Sequence, residues 1–223
     1  MDGIIFDMDG VLIDTERMYM DCWIIAGREL GIDNESVEGL VHDCIGLSSN
    51  DTRALCKKRL KGRASYDESL KRVRDIFRRK RIEEGIPVKA GAYMLLEYLK
   101  TNRIPMGLAS STSYHTIEEE LTQLKMIDYF KVIVSGDMVS EGKPAPMIYE
   151  KACKELMINP EKTIAIEDSI NGLKAAKGAG LKTIMVPDLL PFTEDLEPYV
   201  DEHFDNLKGI QEALSNGELL CGL

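Results

Sequence analysis

The chain has 223 residues, of which 44% are hydrophobic and 30% are charged, and its formal net charge is −10. This composition is that of an ordinary globular protein with one large or two small domains. No apolar run approaches the roughly 18 residues of a membrane span, and no basic targeting segment opens the sequence, so we expect a cytoplasmic protein. The negative charge argues against general binding of nucleic acid.

The cysteines and histidines indicate neither disulfides nor zinc. Five cysteines are scattered along the sequence without a Cys-x-x-Cys pair. Such spacing is typical of free thiols in a reducing compartment. The three histidines lie far apart, whereas a zinc site needs clustered nitrogen and sulfur ligands.

The most informative segment lies at the beginning of the chain. An apolar run, Ile4 to Phe6, leads into Asp7 and Asp9, and Gly10 then permits an abrupt turn. We expect a strand over residues 1–13, and side chains two apart on a strand lie on the same side, so the two carboxylates should point together. Neighbouring acids are tolerated when a cation lies between them or when one keeps a proton. The pair therefore indicates a metal-assisted nucleophile beside a proton donor.

A calcium-binding loop is the alternative explanation for two acids at this spacing. An EF-hand loop needs Gly at its sixth position and Glu at its twelfth. Counted from Asp7, these positions hold Leu12 and Met18. Acids at the end of an apolar strand, where open α/β sheets bind their ligands, instead favour a catalytic role.

The segment after the first strand is predicted to be helical from Thr15 to about Gly85, because apolar residues recur there at helical spacing. Between Thr15 and Val88 the net charge is +2, against −12 for the rest of the chain. A solvated helix face is the ordinary interpretation of these basic residues, and attraction of an anionic substrate is the functional one. The basic residues include Lys71, Arg72, Arg74, Arg78, Arg79, Lys80 and Arg81.

From Val88 onward, predicted strands and helices alternate. This order is typical of βαβ units with right-handed crossovers and a parallel sheet. We therefore expect an α/β fold whose core comprises residues 1–13 and 89–223, with residues 14–88 inserted as an all-helical cap domain. The predicted strands are 104–109, 132–135, 163–166 and 183–186, and the predicted helices are 114–124, 147–157 and 171–179.

Three of the later apolar strands are followed by polar groups that could form one site. Ser110, Ser111 and Thr112 follow one strand and lead into a helix, where hydroxyl and N–H groups can bind an anion, although an ordinary helix cap is the simpler explanation. A loop with Lys143 between glycine and proline follows the next strand. It is not a Walker A loop, because its glycines are too far apart and Pro144 replaces the Ser/Thr. Glu167-Asp168-Ser169 follows the fourth strand, so the site would combine phosphate-binding groups with oxygen ligands for Mg²⁺.

The order of these motifs resembles that of the haloacid dehalogenase superfamily. The resemblance covers essentially the whole chain, and it is strongest to the β-phosphoglucomutase-like phosphatase branch, which carries a helical cap on a Rossmann-like parallel core. The motifs are Asp7-x-Asp9-Gly10-Val11, Leu108-Ala109-Ser110, Gly142-Lys143-Pro144-x-Pro146 and Ile166-Glu167-Asp168-Ser169.

The resemblance implies a role for each residue that reacts with or holds the phosphoryl group. Asp7 would be the nucleophile that forms an aspartyl-phosphate. Asp9 would protonate the leaving oxygen and then deprotonate the attacking water. Ser110 and Lys143, with Ser111 beside them, would bind the phosphoryl oxygens.

The resemblance also implies a bound Mg²⁺ ion. Its ligands would be Asp7, the main-chain carbonyl of Asp9, and Asp168, with Glu167 nearby or acting through water. The partner would be a small phosphorylated metabolite, of the sugar phosphate or nucleoside monophosphate type. We expect a monomer or a weak dimer that binds neither nucleic acid nor membrane.

The sequence departs from the mutases of this branch at two positions that carry positive charge in them. A histidine lies four residues after the threonine of this segment in β-phosphoglucomutases, but Tyr19 lies four residues after Thr15 here. Their Lys-Gly-x-Ser-Arg loop corresponds to residues 45–49, which carry no basic residue. Hydrolysis is therefore favoured over the alternative, a sugar phosphomutase. Tyr19 and Trp23 are more simply explained as core residues of the cap than as substrate contacts.

Overall fold

The structure is a computed structural model that describes residues 1–44, 49–60 and 65–220. The chain divides into two compact units, which are described separately. The first, the sheet unit, comprises Met1–Ile13 and Val88–Leu223, and the second, the helical unit, comprises Asp14–Pro87. None of the described helices is long and apolar enough to cross a membrane.

The sheet unit contains six parallel strands in the order 3-2-1-4-5-6. β1 lies between β2 and β4, so the chain moves outward from it in both directions. The carboxyl end of β1 is therefore the point at which strand order reverses, where open α/β sheets form a binding crevice. The strands are β1 Gly3–Phe6, β2 Met106–Ser110, β3 Val132–Ser135, β4 Thr163–Glu167, β5 Lys182–Met185 and β6 Glu202–His203.

Both faces of the central strands are buried, which explains why their sequences are apolar without interruption. Ile5, Ala109 and Ala165 lie in one core cluster with residues of the helices that follow β3 and β4. Ile4 and Phe6, which alternate with Ile5 along the strand, are also fully buried. The helices of this unit are α5 Ala92–Thr101, α6 Tyr114–Gln123, α7 Met147–Leu156, α8 Ile170–Gly178 and α9 Leu207–Ser215.

The helical unit has its own core. Trp23 is only 9% exposed and stacks on Tyr66, with ring centroids 6.4 Å apart. Tyr19 packs edge-on against Phe77 at 5.6 Å and is partly buried against the same core. Trp23 is thus a core side chain, and Tyr19 lies at the margin of the core. The helices are α1 Thr15–Glu29, α2 Asn34–Cys44, α3 Ser49–Arg59 and α4 Tyr66–Glu83. Residues 45–48 of the loop that distinguishes mutases lie outside the described residues.

The structure confirms the parallel α/β fold and corrects several predicted bounds. The first strand ends at Phe6 and does not continue to residue 13, and the chain turns at Gly10, which has a φ of +80°. The strand predicted at 104–109 is Met106–Ser110, and the one at 183–186 is Lys182–Met185. Helices α5 and α9 and the two-residue edge strand β6 were not predicted.

Candidate active site

A buried lysine links two strand ends at the centre of the sheet. Asp7 directly follows β1, and Glu167 is the last residue of β4. The Lys143 ammonium donates to Asp7 Oδ1 at 2.6 Å and to Glu167 Oε1 at 2.5 Å. It also donates to the Ala109 carbonyl of β2 at 3.0 Å. The long loop after β3 therefore delivers one cation to the carboxyl ends of three neighbouring strands.

The Glu167 carboxylate is held on both of its oxygens. Oε1 accepts the Tyr149 hydroxyl at 2.7 Å in addition to the lysine. Oε2 accepts the Ser169 hydroxyl at 3.0 Å and the backbone N–H groups of Asp168 and Ser169 at 3.2 Å. Such a carboxylate is fixed in orientation, because donors approach both of its oxygens from several directions. The Ser169 hydroxyl also accepts the Gly172 N–H and so caps α8.

Three buried carboxylates lie close together, and two of them, Asp7 and Glu167, contact the lysine. Asp7, Glu167 and Asp168 can each offer an oxygen such that the three oxygens lie within 4.8 Å of one another. Two glycines make this approach possible. A Cβ atom at Gly10 would collide with the Asp168 carboxylate, and one at Gly172 would collide with the Glu167 carboxylate. The glycine of the first motif is thus required for close packing as well as for its positive φ.

The ionisation of these groups reflects burial and crowding. Burial raises the pKa of Asp7, the Lys143 charge opposes this, and Glu167 and Asp9 add to it, which brings the pKa to about 8. Burial disfavours the Lys143 ammonium, but attraction by Asp7 and Glu167 outweighs this and raises its pKa. Burial and the same carboxylates raise the pKa of Tyr149 well above its ordinary value. Tyr149 therefore remains a hydrogen-bond donor to Glu167.

Asp9 makes a different contact from Asp7. Its Oδ2 accepts the Thr112 hydroxyl at 2.9 Å. Ser110, which is 1% exposed, accepts the Thr112 backbone N–H on its hydroxyl at 3.1 Å, whereas Ser111 is exposed. The prediction that Asp7 and Asp9 point together assumed a strand that includes both acids, whereas β1 ends at Phe6, directly before Asp7.

The N-terminus of α6 is covered in part by a carboxylate. The Tyr114 N–H donates to both oxygens of Asp137, at 3.3 and 3.4 Å. The Ser135 hydroxyl also donates to Asp137 and, as the largest contribution, lowers its pKa. This contact competes with the anion site predicted at the start of the helix, because one of the helix N–H groups already has an anionic partner.

The structure brings together most, but not all, of the residues that the sequence suggested. Asp7, Lys143, Glu167 and Asp168 form one buried cluster. Asp9 and Ser110 each contact Thr112, while Ser111 is exposed. Sequence reasoning included Thr112 only among the hydroxyls of a possible anion site, and it did not assign a role to Tyr149. Tyr149 lies six residues after Lys143 on a separate helix, and no spacing rule marks such a residue as a site neighbour.

Comparison with known proteins identifies the family. The sequence profile of the haloacid dehalogenase-like hydrolases matches residues 4–186. This range begins in β1 and ends directly after β5, so it includes every residue of the buried cluster. The chain therefore belongs to the haloacid dehalogenase-like hydrolases, which confirms the resemblance seen in the sequence.

Individual relatives narrow the class further. The chain is 35% identical over 185 residues to a phosphorylated carbohydrates phosphatase of Thermotoga maritima, covering 82% of this chain and 84% of the relative. It is 32% identical over 185 residues to hexitol phosphatase B of Escherichia coli, covering 82% of each protein. A crystal structure of a Thermotoga maritima protein provisionally named a β-phosphoglucomutase superposes with a TM-score of 0.82 at 31% identity, covering 97% of this chain and 99% of that one.

Proposed function

We propose that this chain is a Mg²⁺-dependent phosphatase that hydrolyses a small phosphorylated metabolite through an aspartyl-phosphate on Asp7. The observation that carries the proposal is the Lys143 ammonium, which lies within 2.6 Å of Asp7 in a cluster of buried carboxylates. A lysine in this position neutralises charge on a phosphoryl group that Asp7 receives. The substrate class, a sugar phosphate or a nucleoside monophosphate, takes support from relatives named as phosphatases of carbohydrate and hexitol phosphates.

The first half-reaction transfers the phosphoryl group to the protein. An Asp7 carboxylate oxygen attacks phosphorus, the new O–P bond forms, and the bond from phosphorus to the substrate oxygen breaks. Asp9 gives its proton to that oxygen, so the product leaves as an alcohol and Asp9 becomes a carboxylate. Lys143 and the Ser110 hydroxyl bind the phosphoryl oxygens. Ser110 is at the end of β2, directly after the Ala109 carbonyl that accepts from Lys143.

The second half-reaction returns the protein to its starting state. A water molecule attacks phosphorus, and Asp9 takes its proton. The O–P bond to Asp7 breaks, inorganic phosphate leaves, and Asp7 is again a carboxylate. Over the full cycle one water is consumed and one alcohol and one phosphate are released, with no net change in the protein.

The residues present fit a Mg²⁺ ion. Hard carboxylate and carbonyl oxygens are the ligands that Mg²⁺ prefers, and Asp7 and Asp168 offer such oxygens close together beside Gly10. Both oxygens of Glu167 already accept hydrogen bonds, which supports Asp168 as a direct ligand and Glu167 as one that acts through water. The Asp9 main-chain carbonyl would complete the protein ligands. When bound, the ion supplies positive charge that stabilises the phosphoryl oxygens.

A panel of phosphorylated metabolites tests this function. The purified chain should release inorganic phosphate from at least one sugar phosphate or nucleoside monophosphate with Mg²⁺, and excess EDTA should abolish the release. Absence of phosphate release across the panel, or activity that persists in EDTA, would contradict the proposal.

Metal binding can be measured without turnover. Calorimetric titration with Mg²⁺ alone should show binding by the wild-type chain, and Asp168→Asn should weaken it by about tenfold or more, because Mg²⁺ has few protein ligands here. Asp128→Asn makes the same chemical change at an exposed residue of the sheet unit and should leave the affinity unchanged. Equal affinity in wild type and Asp168→Asn would rule out Asp168 as a ligand.

A further inference from the structure

The Thr112 hydroxyl contacts the residue to which we assign both proton transfers. It donates to Asp9 Oδ2 at 2.9 Å, across 103 positions of sequence. The Thr112 hydroxyl proton occupies a lone pair of Oδ2, so when Asp9 is in its acid form the carboxyl proton lies on Oδ1. If the Asp9 carboxyl group turned over, its proton would no longer face the leaving oxygen of the substrate, and Asp9 could not donate it.

Thr112 is itself held in place by three further features. Its backbone N–H donates to the Ser110 hydroxyl at 3.1 Å. Its carbonyl accepts the Gly136 N–H at 3.2 Å, which ties it to the end of β3. Its β-branched side chain has few accessible rotamers. A half-buried residue restrained at this many points can fix the direction of a second side chain.

We propose that Thr112 is a positioning residue that orients the Asp9 carboxyl group toward the leaving oxygen of the substrate. This inference rests on the proposed function, since Asp9 must act as the acid. Thr112 touches no reacting atom in this account, and its effect passes entirely through Asp9. Its loss should therefore impair proton donation and leave phosphoryl binding and attack by Asp7 intact.

Substrates whose leaving groups differ in basicity can distinguish two roles for Thr112: orienting Asp9, or binding the phosphate oxygens directly. A nitrophenolate leaves readily without a proton, whereas a phenolate depends more strongly on the acid. The ratio kcat/KM reports the first irreversible step, here the transfer to Asp7, in which Asp9 is the acid. A residue that binds phosphate oxygens would affect both esters equally, because the phosphoryl group is the same in both.

The experiment measures kcat/KM of the full chain with Mg²⁺ for phenyl phosphate and 4-nitrophenyl phosphate. Thr112→Val, which keeps the shape and removes the hydroxyl, should lose about tenfold more on phenyl phosphate than on 4-nitrophenyl phosphate. Thr112→Ser keeps the donor and should retain the wild-type ratio. The ratio of the two kcat/KM values, measured on one preparation, does not depend on what fraction of the protein is folded. Thr112→Ala is a second variant, and the same change in the ratio is expected for it.

Thr116 supplies a matched control on α6. Its hydroxyl lies 3.0 Å from the Ser113 hydroxyl, so Thr116→Val removes the same group without contact to Asp9 and should leave the ratio unchanged. Equal losses on both esters in Thr112→Val, or no loss, would overturn the positioning role while leaving the phosphatase function standing. Failure of the wild-type chain to release phosphate from either ester and from the metabolite panel would overturn both.

Discussion

Asp7 is the residue on which the covalent mechanism depends. In Asp7→Asn the amide cannot form an acyl phosphate, so we expect kcat to fall about a thousandfold or more. The fold should persist, because an asparagine oxygen can still accept from Lys143 and the repulsion from Glu167 and Asp9 is relieved. Steady-state kinetics with circular dichroism check both expectations. Substantial turnover by the folded variant would disprove the aspartyl-phosphate.

Tyr149 connects the site to the core. The side chain is fully buried, its hydroxyl donates to Glu167 Oε1, and its ring lies 5.1 Å from the Lys143 ammonium. Tyr149→Phe keeps the ring and removes one hydrogen bond to a charged acceptor, so the free energy of unfolding should fall by about 1–2 kcal/mol.

Urea unfolding measures this change, and Tyr149→Leu is the control. The leucine variant loses the ring contact with Lys143 as well as the hydroxyl, so it should be less stable than Tyr149→Phe. Equal stability of wild type and Tyr149→Phe would show that the hydrogen bond to Glu167 contributes nothing to folding.

The sequence predicted residue types at strand ends better than it predicted their partners. The sequence identified four site residues because of where they lie. The acids Asp7, Glu167 and Asp168 lie at the ends of apolar strands, and Lys143 lies in a loop with proline. Parallel strands bring their carboxyl ends to one edge of the sheet. The contact between Thr112 and Asp9 and the role of Tyr149 could not be found, because the hydrogen bonds of these two side chains depend on how α6 and α7 pack against the sheet. Packing of this kind leaves no periodic signal in the sequence.

At the scale of the elements, the hydrophobic pattern was sufficient to predict the buried strands but not the edge strand β6. β3 was predicted with its observed bounds, 132–135, because a short apolar run between polar residues has few alternatives. β6 has only two residues, one of them His203, and no apolar run marks it. Its position is fixed instead by polar contacts to β5, which periodicity does not detect.

Asp201 holds this edge in place. Its carboxylate accepts the Lys177 ammonium at 2.6 Å and the Thr183 N–H at 2.7 Å. Burial acts to raise its pKa, but the hydrogen bonds from Lys177 and Thr183 outweigh this and lower it from the ordinary value of 3.8. A lowered carboxyl pKa stabilises the folded state above the unfolded pKa, and this stabilisation is lost as pH falls through the folded pKa.

The lowered pKa of Asp201 predicts how the effect of Asp201→Asn on Tm should depend on pH. At about pH 7 the variant should melt about 2 °C below the wild type. As pH falls below 3.8 and through the lowered pKa of Asp201 in the folded wild type, the carboxylate becomes protonated and the difference should close. Lys177→Met in the same background should add little at neutral pH, because the ion pair is already broken. A gap in Tm that stays constant from neutral to acid pH would contradict this account.

At the scale of the whole molecule, the fold alone does not decide between hydrolysis and phosphoryl transfer within a sugar. Both reactions use the same aspartyl-phosphate, and they differ in whether water or a sugar hydroxyl attacks it next. The relatives reflect this division, since proteins named as phosphatases and one provisionally named a mutase share the fold and about a third of their residues with this chain. The difference must therefore lie in residues that hold the second phosphate of a bisphosphate intermediate.

Two positions of the helical unit at which the mutases carry positive charge are uncharged in this chain, and this favours hydrolysis. Residues 45–49 contain no basic side chain, and Tyr19 is a neutral phenol whose pKa is raised, with burial as the largest cause. A doubly phosphorylated sugar carries several negative charges, and retaining it while it reorients requires cations. A chain without them at these positions should release its substrate after one phosphoryl transfer and let water complete the reaction.

We therefore expect inorganic phosphate as the product and no requirement for a bisphosphate activator. The test supplies β-glucose 1-phosphate, Mg²⁺ and a catalytic amount of glucose 1,6-bisphosphate, and it compares the rate of glucose 6-phosphate formation with phosphate release from the metabolite panel. Faster formation of glucose 6-phosphate than release of phosphate from every compound would reverse the assignment. In that case basic residues of α4, among Lys71 to Arg81, would be the next candidates for holding the second phosphate. Arg74→Met would be the first variant to measure, because the Arg74 charge already acts on Tyr19 and lowers the pKa of its phenol.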